Sequence, residues 1–437
     1  MFMILKFLIL NVGVIATTFS ISASAQKLEN LIALALSSNP LTKSQQTLVE
    51  SAKVGVDSAK WQFYPTPSVS VEMANTSSSD LLYQGDKRVS IGRIQQPLWT
   101  GGRLSAGVNK AEAGLAVSQA SLEEARLQLG LRVVQAYGDW LSAHLKTLAN
   151  EKSLATHIRL HDQVKRRVNE GTSANSDLTL AIARLEAISA ELTAVRAQGE
   201  VAIARLGQFL GNPVDAASLM KEVASPYSLT GNMQGVLEQA IDINPSIIKA
   251  QATARVQEVV IDEKRADLSP EVFVRAERQY GNYTFANGPP ENRFFVGLTS
   301  RFGAGLSTFS SIEAARLQHN AALTDIEVQT RAVNEQVLSD YALAQSIASR
   351  IAAVYKSLSA ANDVLSSYNR QFLAGRKSWL DVMNAARELT QTETQLADLH
   401  ATQVVVTWRL GAYTRGIGAL TEEVKSEYYK QTRFNAN

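Results

Sequence analysis

Cysteine is absent from the 437 residues. Without disulfides, a chain of this length must hold itself together by packing or by association with other copies. Lipidation of a mature N-terminus is excluded as well, since it needs a cysteine thiol. Long apolar runs are also missing. Beyond the first residues, no stretch approaches the roughly 18 apolar residues of a spanning helix, so any later entry into a membrane must be made as a closed β-barrel. Charge of one sign is not in excess: 43 Lys and Arg against 41 Asp and Glu leave +2, and no nucleic-acid partner is expected. The five histidines, His144, His157, His161, His319 and His400, fall in no H-E-x-x-H or comparable ligand spacing. His157 and His161 are four apart on a helix but have no third ligand nearby. Gly303-Ala-Gly305 is a lone G-x-G without the rest of a phosphate loop, and Ser310 and Ser311 have no accompanying base. No enzyme activity, metal or cofactor is therefore expected.

What is present begins with an address. Lys6 sits in an apolar run reaching Val14 and Ile15, and Ala23-Ser24-Ala25 supplies a small-x-small cleavage pattern. Residues 1–25 read as a secretory signal peptide, because the apolar core is short and a cleavage site follows. The alternative is a retained membrane helix.

The rest is one unit written twice, at a shift of about 204 residues, a period that marks a duplicated domain rather than a solenoid. Asn39-Pro40 matches Asn244-Pro245, Pro65 matches Pro270, and Tyr137 matches Tyr341. Gly171 matches Gly375, Asp177 matches Asp381, and Arg205-Leu206-Gly207 matches Arg409-Leu410-Gly411. The domain reading is a first repeat over 26–230, a second over 231–416 and a C-terminal tail over 417–437.

Each repeat has the same order. A first helix is predicted over 28–61 and again over 233–267, each stopped by a proline. Alternating stretches follow. Val69, Val71 and Met73 share one face, as do Val89 and Ile91; in the second repeat 271–277 and 293–302 form the equivalent pair, with Phe294, Val296 and Leu298 together. Two tilted strands of bilayer length fit this pattern, with Val69, Val71, Phe294 and Val296 assigned to lipid. A soluble hairpin is the alternative. Then come helices over 104–168 and 307–373, about 100 Å long at 1.5 Å per residue, which need partners along their whole length. Turns at Gly171 and Gly375 reverse the chain into helices over 176–210 and 378–413.

Gln96-Pro-Leu-Trp-Thr-Gly-Gly-Arg103, leading into an Ala- and Glu-rich helix, resembles the strand-to-helix junction of TolC-family outer-membrane factors. The turns over 169–178 and 372–384 resemble that family's two periplasmic tips. The resemblance implies an α+β membrane protein. In it, a homotrimer forms one 12-stranded β-barrel, with four strands per protomer, continuous with a periplasmic α-helical barrel in a Gram-negative cell. It also implies an equatorial region drawn from 211–234 and the tail. The implied partners are outer-membrane lipid, a periplasmic adaptor (membrane-fusion) protein and, through it, an inner-membrane transporter.

The same resemblance assigns roles at the tips. Asp381 takes the place of an entrance aspartate, and Asn384 stands where a second is usual. Lys377 and Asp177 match a latch pair, and Phe372 stands for a latch tyrosine without its hydroxyl. Gly171, Gly375, Arg376 and Trp379 mark the docking tips, with Trp379 either the adaptor's anchor or packed inside the tip. The stretch 374–385 is similar to channels of type I secretion that export large adhesins. The expected function is thus the exit duct of such an exporter; small-molecule efflux is the alternative, and a periplasmic coiled-coil scaffold a third reading.

Overall fold

A computed structural model describes residues 27–76, 80–221, 232–300, 305 and 307–421. The signal peptide, Gly303, part of the equatorial stretch and the tail from 422 lie outside the described residues. One series of elements occurs twice. The first is α1 (Leu28–Ser38), α2 (Pro40–Trp61), β1 (Thr66–Met73), β2 (Arg88–Trp99), α3 (Arg103–Asn169) and α4 (Asn175–Leu210). The second is α5 (Met233–Ile243), α6 (Pro245–Ala266), β3 (Glu271–Tyr280), β4 (Glu291–Thr299), α7 (Ser307–Leu373) and α8 (Trp379–Arg415).

The single first helix expected in each repeat is in fact two. Proline lacks an N–H and pushes the residue before it out of the helical region. Asn39 and Asn244 are accordingly extended, with ψ of 134° and 122°. Each then caps the next helix: its side-chain oxygen accepts the Leu41 or Ser246 N–H at 2.9 Å, and Pro40 or Pro245 takes the first helical position.

Helices α3 and α7 each run for 67 residues, about 100 Å at 1.5 Å per residue. α3 packs on α2, α4, α6 and α8, and α7 on α5, α6 and α8. One core gathers Ile32, Val133, Tyr137, Trp140, Leu206 and Trp408, and a second gathers Val236, Ile247, Val337, Ile347 and Leu410. A third lies at the hairpin turns. The Arg-Leu-Gly landmark ties helices together. Arg409 donates Nε–H to Asp340 at 3.0 Å and makes a second contact through its terminal nitrogen, while Gln336 donates to the same carboxylate at 3.2 Å. Asp340 is fully buried, so removing Arg409 would leave an uncompensated charge inside the protein. Arg205 faces Asp139 at 3.6 Å in the first repeat.

The strands form one antiparallel sheet in the order β1-β2-β3-β4. Pairing of β2 with β3 joins the two repeats, and β1 and β4 each keep an open edge within the chain. β2 continues from Val89 and Ile91 to Trp99, and its register slips between Pro97 and Trp99, where proline cannot donate to the ladder. Among the described residues, no helix is long and apolar enough to cross a membrane.

Candidate functional site

Directly paired residues on neighbouring strands project to one side of a sheet, and residues two apart share that side. Val69 pairs with Gly92, and Gly92 with Arg278; Val71 pairs with Ser90, and Ser90 with Tyr280. Ala276 pairs with Phe294, and Val274 with Val296. Val69, Val71, Met73, Ile94, Val274, Phe294, Val296 and Leu298 therefore lie on one face, which also carries the exposed Arg88 and Arg278 on the side of the loops. Val69, Phe294 and Val296 are about four-fifths exposed and Val71 about half. Exposed aromatic residues rim both ends: Trp61, Phe63, Tyr64 and Trp99 toward the helices, Tyr83, Tyr280 and Phe285 toward the loops. An apolar band between aromatic girdles is the pattern of a barrel's lipid side.

The opposite face is polar. It carries Ser68, Ser70, Glu72, Arg93, Gln95, Arg275, Glu277, Gln279, Glu291 and Arg293, set among Ile91, Phe273 and Phe295. Arg93 donates Nε–H to Glu277 at 2.7 Å. Arg275 reaches the same carboxylate oxygen at 3.0 Å, as an ion pair without hydrogen-bond alignment. Beyond the strands the loops are tied together, with Asp86 accepting the backbone N–H groups of Asn282 and Asn287 at 3.0 and 3.1 Å. Those two bonds hold its carboxyl below the usual range.

At the far end of the long helices, both hairpins turn in the same way. Gly171 and Gly375 each have φ of 72°, the left-handed conformation glycine adopts without cost. Thr172 N–H donates to Arg167 O, and Arg376 N–H to Gln371 O, both at 2.8 Å, closing a Schellman motif over the last carbonyls. Ser378 and Asp381 then form a capping box that starts α8. The Ser378 hydroxyl donates to the Asp381 carboxylate at 2.8 Å and holds it below the usual carboxylate range.

One expectation at this tip is corrected, and a second is not met within a single chain. Trp379 is not an exposed anchor: it is 2 % exposed, and its ring centre lies 5.0 Å from that of Phe372. The capping box sets α8 so that Trp379, Val382 and Met383 enter the tip core beside Leu160, Val164 and Leu365. Lys377 does not pair with Asp177 within the chain. It lies 3.6 Å from Asp381, one helical turn on, and its ammonium sits 4.2 Å from the centre of the Tyr368 ring. Asp177 is in the first turn of α4. Phe372 is buried with Arg167 over its ring at 4.9 Å, while Arg376 and Asn384 face solvent. Sequence reasoning missed Leu373 and Leu380, about half exposed at this tip, and the arginines of the polar face. Alternation in β2, β3 and β4 was the available signal for those arginines, but their clustering depends on register. Among the described residues, no three metal-ligating side chains converge.

The profile of the outer membrane efflux protein family matches residues 31–212 and 236–410. The chain is 21 % identical over 394 residues to the outer membrane efflux protein BepC of Brucella suis, covering 89 % of this chain and 85 % of BepC. It is 22 % identical over 326 residues to the alkaline protease secretion protein AprF of Pseudomonas aeruginosa, covering 71 % and 66 %. A match to nodulation protein T of Rhizobium leguminosarum, 24 % identical, spans 66 % of this chain and 63 % of that protein, less than two thirds of its length. In fold, the chain is similar to the solved structure of CusC, with a TM-score of 0.76 at 18 % identity, covering 89 % of this chain and 92 % of CusC.

Proposed function

The chain belongs to the outer membrane efflux protein family, the TolC-type channels of the Gram-negative outer membrane, and from that premise we propose that three copies close into one exit duct. The observation carrying this reading is the four-stranded sheet with one apolar and one polar face and both edges open. An open edge cannot stand in lipid, where every backbone group needs a partner. Joining β4 of one copy to β1 of the next would satisfy both edges and give a 12-stranded barrel with its polar face inward. The long helices below the barrel would form the periplasmic conduit, with an adaptor protein and an inner-membrane transporter completing the exporter.

For the cargo, we favour a secreted protein delivered by a type I system. The likeness of 374–385 to adhesin-secreting channels supports that choice, as does the relationship to a protease secretion protein. Small-molecule efflux is the second reading, favoured by the longer match to BepC. Deleting the gene separates the two. Loss of one large protein from the culture medium, with drug susceptibility unchanged, is the expected result. Unchanged secretion with heightened susceptibility to small toxic compounds would replace the first reading by the second.

A further inference from the structure

The charges on the polar face do not cancel locally. Glu277 is opposite Arg93 on β2 and opposite Arg293 on β4, and Arg275 is two residues before it on the same face. Arg93 and Arg275 share the one carboxylate of Glu277, while Arg293 is paired with Glu291. The other carboxylates of this face have partners elsewhere: Glu271 is bound by Arg103 at 3.1 Å, and Glu72 accepts the Tyr283 hydroxyl at 3.2 Å, toward the loops. Three guanidiniums therefore stand around Glu277 with two carboxylates between them.

Burial sharpens the imbalance. The Glu277 side chain is 8 % exposed, whereas Arg93, Arg275 and Arg293 are 37, 31 and 42 % exposed. The anion lies beneath and the cations lie on top. Arg275 is also fixed in place, its guanidinium 4.6 Å from the centre of the Phe295 ring and 5.7 Å from that of Phe273. Each guanidinium has five N–H donors, and most of them remain unused here. Fixed planar donors of this kind match the oxygen pairs of carboxylates and phosphates.

We infer that Arg93, Arg275 and Arg293 form an anion-binding collar on the polar face of the sheet, which engages multivalent oxyanions such as citrate and favours cargo rich in such groups. The inference rests on the duct reading, in which this face lines the pore and symmetry repeats the collar three times. Its physical basis is a local excess of one positive charge in the cluster around Glu277, with Glu72 set apart toward the loops, held where water and cargo would pass.

The test uses the full-length protein in planar bilayers, with citrate added on the side of the sheet. Citrate should reduce the current reversibly, and spermidine, a cation of similar size, should not. Arg275→Gln should weaken the block about ten-fold or more, the scale of losing a charge-assisted hydrogen bond. Glu277→Gln should act in the opposite direction and strengthen it, a change of sign that general damage to the barrel would not produce. If Arg275→Gln fails to insert, Arg293→Gln gives the same reading; if Glu277→Gln fails, Glu291→Gln, which frees Arg293, should strengthen the block in its place. Normal conductance with no citrate block, or with an equal block in all variants, would overturn the collar and leave the duct standing. Absence of any conductance would instead condemn the duct; calorimetric titration of citrate into the detergent-solubilised protein then decides the collar alone, and no bound citrate rejects it.

Discussion

Trp379 and His157 show what single side chains do in this molecule. Trp379 fills the tip core with Phe372, Val382 and Met383, so Trp379→Ala should cost about 3–5 kcal/mol through cavity formation and lost contacts. Hydrogen exchange should quicken in both tip hairpins. Unchanged exchange there, with loss of adaptor cross-linking alone, would restore Trp379 as a docking residue. His157, on α3, is buried against α4 and α8, donating Nδ1–H to Ser153 O at 2.9 Å. Burial lowers its affinity for a proton, chiefly against the lift from that backbone bond. Burial likewise lowers the proton affinity of His144 and His400. In the unfolded chain these imidazoles take up a proton near pH 6.5, while in the fold they do so only at lower pH. The unfolded state then binds more protons, so stability should fall as pH drops below about 6.5. We expect the thermal midpoint to decrease between about pH 7.5 and 5.5, and less so in His157→Gln. Equal pH slopes in parent and variant would remove His157 from this account. Neither residue was legible from sequence in this respect. A tryptophan four residues past a tip glycine reads as an exposed anchor or as packing, and only the capping box, which sets the rotation of α8, turns it inward.

At the level of elements, most of the order was legible and the details of pairing were not. Helices α3 and α7 could be read from unbroken stretches of good helix formers ending in a glycine turn. The breaks at Pro40 and Pro245 were visible as repeated landmarks, yet their consequence, two helices in place of one, was missed because apolar spacing continues on both sides. Alternation placed Val69, Val71, Phe294 and Val296 correctly on one face, since a period of two needs no partner to be seen. Register does need one, so the grouping of Arg93, Arg275 and Arg293 around Glu277 was invisible. The sheet makes a sharp prediction. Arginine at Val71 or Val296 should cost roughly 2–4 kcal/mol near the bilayer midplane and reduce the protein recovered from outer membranes. Arginine at Ser70, on the polar face, should be tolerated. Equal recovery of all three variants would mean that the apolar face does not meet lipid.

At the scale of the whole molecule, one chain is an incomplete object. Its sheet has two open edges, and α7 exposes Leu317, Leu323 and Val328 along its length. The absence of cysteine, which first suggested association in place of disulfides, also makes the closure of the sheet directly measurable. In the assembly we propose, β1 of one copy runs antiparallel to β4 of the next, so cysteines at Ser68 or Ser70 can be paired with cysteines at Phe295 or Thr299 and oxidised in intact outer membranes. A closed ring of three yields linked dimers and trimers and nothing larger, in at least one of these pairings, with no product when only one of the two cysteines is present. Monomer alone in every pairing, or a ladder extending past the trimer, would contradict the closed three-fold duct.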